Sequence, residues 1–283
     1  MRLSSWLLTA GCGLSFCLGV SAHIRILHPS NGNPVRWSDA SNVGVAISPL
    51  QPTGVVDGSH VTALRNAVEA WNRVPGSFAR LVETPATESS DWNADNIHLI
   101  TFEQDNESGF FPTGSSTVAV TPIFFFGSGA IADADILFND GNFSFSTDGE
   151  GGTFDIGDVA AHELGHFLGL DHSGSAGATM FPFVSPTGIL HRSLSIDDLN
   201  GIRHNYPDVS YAIMTGSVER PDGTPVFGAH LAARDEDGRL VGATISDADG
   251  AYRFEGLEGG TYEVYAGPLD APVSGANLSL IHI

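Results

Sequence analysis

HELGHFLGLDH, running from His162 to His172, closes a predicted helix that begins near Asp155. On an α-helix, residues four apart lie about 40° from each other around the axis, so His162 and His166 project from one face. Two imidazoles so placed can take adjacent corners of a zinc tetrahedron. Glu163 neighbours the first histidine, so its carboxylate flanks the metal position without filling it. A general base must sit there to receive a proton from water. His172 lies too far along to share that face on a continued helix. Gly169 resolves the difficulty, because glycine adopts the left-handed conformation that ends a helix and turns the chain back. His172 can then supply a third ligand from another direction. Three protein ligands leave one tetrahedral position open, which marks a catalytic zinc and not a structural one. A bare HExxH also occurs on ordinary helix faces. The extended string fixes five positions, and its chance occurrence in a chain this size is on the order of one in ten thousand.

Around this string the pattern is mixed. Val43 to Ser48 reads as a strand, and Ser59 to Val74 as a helix with Val61, Leu64, Ala67, Val68 and Trp71 at helical spacing. Phe78 to Glu83, Ile97 to Phe102, Thr117 to Phe126 and Ala130 to Asn139 read as further strands. Asp155 to Leu170 is the histidine-bearing helix, with acidic residues at its start. Ser195 to Tyr206 is another, with Ser195 as N-cap, Asp197 and Asp198 in the first turn, and Pro207 as a stop.

The zinc string, with Ser173 directly after its third histidine, resembles the metzincins, and within them the matrixins. Ala178-Thr-Met180-Phe-Pro182 is similar to the family's Met-turn, which implies Met180 as an apolar floor beneath the metal. SIDDLNGIR, from Ser195 to Arg203, resembles the matrixin C-terminal helix. GAIADADILFN, from Gly129 to Asn139, resembles the strand before the active-site helix. The likeness spans about Asn33 to Pro207 and implies an α+β metzincin domain: a twisted mixed sheet with an active-site helix, Met-turn and C-terminal helix. It also implies a zinc-dependent endopeptidase with Glu163 as general base. The substrate would lie extended along an edge strand, for which Ser116 to Ile123 is the candidate. Pro182, Phe183 and Val184 would line the pocket for the residue after the cleaved bond, with an apolar preference.

Two family features are missing. Matrixins commonly hold a second, structural zinc near the upstream strand. Here His98 is the nearest histidine and no matching set accompanies it, so one zinc is expected. The cysteine that keeps many matrixins latent is also absent. Calcium is conceivable at Asp133, Asp135, Asp140 or Asp148, since hard oxygen ligands are abundant there; a solvated acidic loop is the favoured reading.

Composition sets the wider frame. With 33 acidic residues against 12 basic, the formal charge is −21, and every basic residue is arginine. Such a chain repels nucleic acid and anionic membranes. Arg2, the apolar stretch Trp6 to Val20 and the small residues Val20-Ser-Ala22 read as a signal peptide over 1–22, so an exported protein is expected. Attachment as a lipoprotein at Cys12 is the lesser alternative. Both cysteines, Cys12 and Cys17, fall inside this segment, leaving no disulfide in the mature chain, which would begin at His23. No internal apolar run approaches a membrane span.

The peptidase domain is placed at 23–210. Beyond it, short strands alternate with Pro221-Asp-Gly223, Asp237-Gly238, Asp249-Gly250 and Gly259-Gly260, the pattern of an all-β sandwich module over 211–283. This module resembles carboxypeptidase regulatory-like and Cna-B-type domains, which are Greek-key sandwiches. It carries no nucleophile or ligand cluster, so it reads as a spacer or as a unit that binds a surface or polymer. The final Leu278 to Ile283 is read as translated adaptor sequence in preference to a last strand, and no chemistry is assigned to His282. The competing function is a surface or adhesion protein with a decayed peptidase domain, although decay would remove Glu163 or a ligand and none is missing. A zinc hydrolase acting on something other than peptide shares the same ligands.

Overall fold

The computed structural model describes residues 25–85, 92–268 and 272. The export segment, both cysteines, His23 and the last hexapeptide lie outside the described residues. The chain enters as a strap: Arg25 bridges Leu170 and Leu27 bridges Pro34. It continues into β1 (Val43–Ile47), α1 (Ser59–Asn72) and β2 (Leu81–Thr84). A helix between β1 and β2 carries the chain back to its start, so the two strands pair in parallel, with Val43 opposite Leu81. β3 (Leu99–Glu103) joins the other side of β1, again parallel. On α1 the buried positions are His60, Ala63, Leu64, Ala67 and Trp71, a single stripe at three- and four-residue spacing.

The expected strand Thr117 to Phe126 is two strands, β4 (Ala119–Val120) and β5 (Ile123–Phe125). Pro122 separates them, since it has no N–H to continue a ladder. The expected strand Ala130 to Asn139 is likewise divided, into β6 (Ile131–Ala134) and β7 (Ile136–Asn139). At the break, Asp135 donates its N–H to Pro122 and accepts the Leu99 N–H on its carboxylate at 2.8 Å. β5 and β6 form a hairpin, while β7 enters the main sheet, whose order is β2-β1-β3-β7-β4. β4 is antiparallel to β7 and forms one edge. The short pair β8 (Phe145–Ser146) and β9 (Phe154–Asp155) has too few residues to show a period, and the sequence reading misses it.

α2 (Ile156–Phe167) and α3 (Ile196–Asn205) complete the first domain. α2 packs against α1, and Trp71 donates its indole N–H to the Ala161 carbonyl at 2.9 Å. The main core runs beneath the sheet through Leu64, Trp71, Phe102, Phe138, Phe145, Leu164 and Tyr206. Burying aromatic side chains of this size is the main favourable term in its stability. No described helix is long and apolar enough to cross a membrane.

The rest is all β, as its turn chemistry predicts. β10 (Ala212–Ser217) pairs with β13 (Ala251–Leu257), and β11 (His230–Arg234) lies between β12 (Leu240–Ile245) and β14 (Glu263–Gly267). A small core of Leu231, Ala233, Phe254 and Leu257 lies within this module. Its strands β12 and β13 pack directly on α3.

Candidate active site

α2 begins cleanly because Asp155 caps it, accepting the Asp158 N–H at 2.9 Å. Its last turn carries His166 and stops at Gly169, whose φ of +83° is the left-handed conformation expected of a C-terminal glycine. The Gly169 N–H reaches the His166 carbonyl and the Leu170 N–H the Gly165 carbonyl, which turns the chain back. A Cβ on Gly169 would run into the Val35 carbonyl of the entering strap, so the position excludes larger residues twice over.

The turn brings His172 to the two helical histidines. His166 Nε2 lies 3.0 Å from His162 Nε2 and 3.2 Å from His172 Nε2. These separations are near the edge of a tetrahedron with nitrogen about 2.0–2.1 Å from its centre, as in zinc sites. The opposite ring nitrogens are engaged: His162 Nδ1 with the Thr179 carbonyl and His166 Nδ1 with the Leu170 carbonyl, each at 2.8 Å. A carbonyl can only accept, so Nδ1 carries the proton and Nε2 presents its lone pair. Burial lowers the His162 imidazole to about 4 and holds His166 well below its ordinary value. Both are thereby kept neutral, the form a metal requires. Among the described residues this is the one histidine, cysteine and carboxylate cluster of metal-holding geometry, and its donor set fits zinc.

Glu163 is buried beside the cluster, and burial raises its carboxyl to about 7. Thr121 opposes that rise by donating its hydroxyl to Glu163 Oε2 at 2.6 Å. Thr121 immediately follows β4, so the sheet edge chosen as the substrate strand lies against Glu163. The sequence reading placed Thr121 within the candidate substrate segment Ser116 to Ile123 but missed its bond to Glu163; a threonine at a strand end has no signature of its own.

Met180 is buried, with its sulfur against Gly165, where a Cβ would collide with it and come within 3.0 Å of Trp71. Gly165, one of the unassigned positions of the string, is therefore the gap that admits Met180 beneath the ligand-bearing turn. Pro182, Phe183 and Val184 leave the Met-turn outward. Val184 packs on the main core, and Phe183, 40% exposed, has its ring 5.9 Å from that of buried Phe181.

The two acids opening α3 do more than face the helix dipole. Asp198 accepts the backbone N–H groups of Thr179, Met180 and Ser195, holding the Met-turn to the helix cap. Asp197 accepts the Ser173 hydroxyl at 2.5 Å. The favoured reading of the upstream acids as a solvated loop is corrected. Asp133, Asp135 and Asp140 are buried and bound to backbone N–H groups of Asn96, Leu99 and Thr53, and only Asp148 is exposed. His98 lies in this region with Nδ1 on the Gly44 carbonyl and its ring 4.6 Å from Trp37.

A mixed sheet with an edge strand, a histidine-bearing helix closed by glycine, a methionine turn and a C-terminal helix define a metzincin-type metallopeptidase fold. Residues 36–207 match the Matrixin family and residues 213–272 the Carboxypeptidase regulatory-like domain. Since the first match covers more than half of the chain, the protein belongs to the matrixins, a family of zinc metalloendopeptidases. It is 30% identical over 179 residues to "Stromelysin-1" of Rattus norvegicus, covering 60% of this chain and 34% of the relative. It is 29% identical over 178 residues to "Matrix metalloproteinase-18" of Xenopus laevis, covering 62% and 35%. The chain thus spans about a third of the length of the curated relatives it matches.

Proposed function

We propose that this protein is a secreted zinc endopeptidase in which His162, His166 and His172 hold one zinc and Glu163 is the general base. The observation that carries the reading is the convergence of three Nε2 atoms, with the Nδ1 atoms of His162 and His166 tied to carbonyls, next to a buried carboxylate. Bound zinc would supply the Lewis acidity that polarises a carbonyl and acidifies water. Glu163 takes a proton from the attacking water and passes it to the leaving nitrogen. Its buried place beside the histidines puts the carboxylate within reach of water at the cluster for both halves of that task. Thr121 fixes the orientation of Oε2. Among the described residues β4 is an edge strand, and an extended peptide can pair on its outer side. Phe183 and Val184 would meet the side chain beyond the cleaved bond. The stretch 1–22 supports export, with a peptidase domain over 23–210 and a module over 211–283 that serves as spacer or binding unit.

Digestion of casein or gelatin, with and without a chelator, is the test. Cleavage that the chelator abolishes is expected, with one zinc per chain. Glu163→Gln should keep that zinc and lose roughly 10²–10⁴-fold in rate. Activity within tenfold of wild type would remove Glu163 from its role, and a zinc-loaded wild type that cleaves nothing would favour the decayed-domain reading.

A further inference from the structure

We propose that Asp197 is a positioning residue that couples the docked β-module to the third histidine of the metal cluster. The inference rests on the reading of His162, His166 and His172 as ligands. Asp197 is fully buried in the first turn of α3, and its two oxygens face different domains. One accepts the hydroxyl of Ser173, the residue next to His172, at 2.5 Å. The other accepts the backbone N–H of Ala243, on β12 of the module, at 3.2 Å. Ser173 is also held from the far side, where its own N–H reaches the Met180 carbonyl at 2.7 Å. The peptide that follows His172 is thus clamped between the Met-turn and a carboxylate whose second donor belongs to the module.

The contact with the module is a built junction. The Asn200 side-chain amide donates to the Val241 carbonyl. Gly256, at φ +69°, lies so close to α3 that a Cβ there would come 2.5 Å from the Asn200 carbonyl oxygen. Glu255, itself buried, gathers His204 of α3 at 2.5 Å, Arg25 of the strap at 3.7 Å and its neighbour Arg253. A strand of a free spacer would carry a solvated residue at the place of Glu255, which here is buried. If the module shifts, Asp197 stands to lose the Ala243 donor. A buried carboxylate short of a donor is costly, so a displaced β12 draws Asp197 with it and shifts the point from which Ser173 is held. The module is therefore part of the support behind the metal cluster, which the spacer reading did not anticipate.

The test uses the full chain loaded with zinc, and with cobalt as a spectroscopic stand-in. A group bonded directly to a metal ligand typically alters affinity 10–100-fold; Asp197 acts one residue further out, so Asp197→Asn should speed zinc release to a chelator about three- to tenfold. The cobalt absorption bands should shift, which a role confined to fold stability would not produce. Asp197→Asn leaves one acceptor oxygen for two donors; Ser173→Ala removes the Ser173 donor with a smaller change and serves where Asp197→Asn does not fold. Gly256→Ala, remote from the cluster, should act in the same direction, and should add nothing in the Asp197→Asn background, since both changes break one path. Unchanged release and spectra in folded Asp197→Asn or Ser173→Ala would overturn the proposal, as would independent, multiplying effects of Gly256→Ala and Asp197→Asn. A wild type that binds neither metal would overturn the ligand assignment instead, a separate and recognisable result.

Discussion

Thr121 Oγ1 donates to Glu163 Oε2 across 2.6 Å, joining the end of the sheet's edge strand to the helix that bears the histidines. The pair links the place where substrate would lie to the group that would move the proton. A hydrogen bond to a charged group contributes about 1.5–3 kcal/mol. Thr121→Val, which keeps the shape and removes the donor, should lower kcat about tenfold with little change in KM. Peptide-cleavage kinetics on folded protein decide it, and an unchanged kcat would show that Glu163 is oriented by other means.

Gly169→Ala puts a side chain into a left-handed residue and against the Val35 carbonyl. Strain of this kind costs about 1–3 kcal/mol before the clash is counted. Denaturant unfolding should show a loss of about 2 kcal/mol or more, together with weakened zinc retention, because the turn delivers His172. Stability within about 0.5 kcal/mol of wild type would mean that the strap yields easily.

Asp135 gives a pH-dependent prediction. Burial raises its carboxyl from 3.8 to about 8, with Asp133 adding to the rise and the N–H groups of Leu99 and Asn93 opposing it. A carboxyl raised on folding stabilises below the unfolded value and loses that contribution as pH climbs through the folded one. Relative to wild type, Asp135→Asn should therefore melt at a higher temperature at pH 8 than the comparison at pH 5 would indicate. Calcium bound at this place would reverse the trend, because it would hold the carboxylates ionised; thermal melts at both pH values with and without calcium separate the two.

Much of the site was legible in the sequence because its residues are local to one another. His162, Glu163, His166, Gly169 and His172 sit within eleven positions, so helical geometry and one glycine suffice to place them. What joins the string to the rest was not legible. Thr121, Asp197 and the Ala243 N–H reach the site from distant segments, and nothing in their local spacing announces the pairing. Strand breaks followed the same rule. Pro122 could have been read as the end of β4, whereas the break at Asp135 depends on a carboxylate captured by the Leu99 backbone. Asp133 and Asp135, which looked solvated, are buried because backbone donors from 93–99 close over them.

The ion cluster at Glu255 bears on how the molecule is made. Arg25 stands in the entering strap and Glu255 in β13, so a contact between them closes nearly the whole described length of the chain. Loops of that size form late, and topologies rich in such contacts fold slowly. During synthesis, the strap and α3 leave the ribosome well before β13, and their shared carboxylate partner is not yet available. The contacts of Arg25 and His204 with Glu255 can thus form only once β13 has emerged, well after the strap and α3.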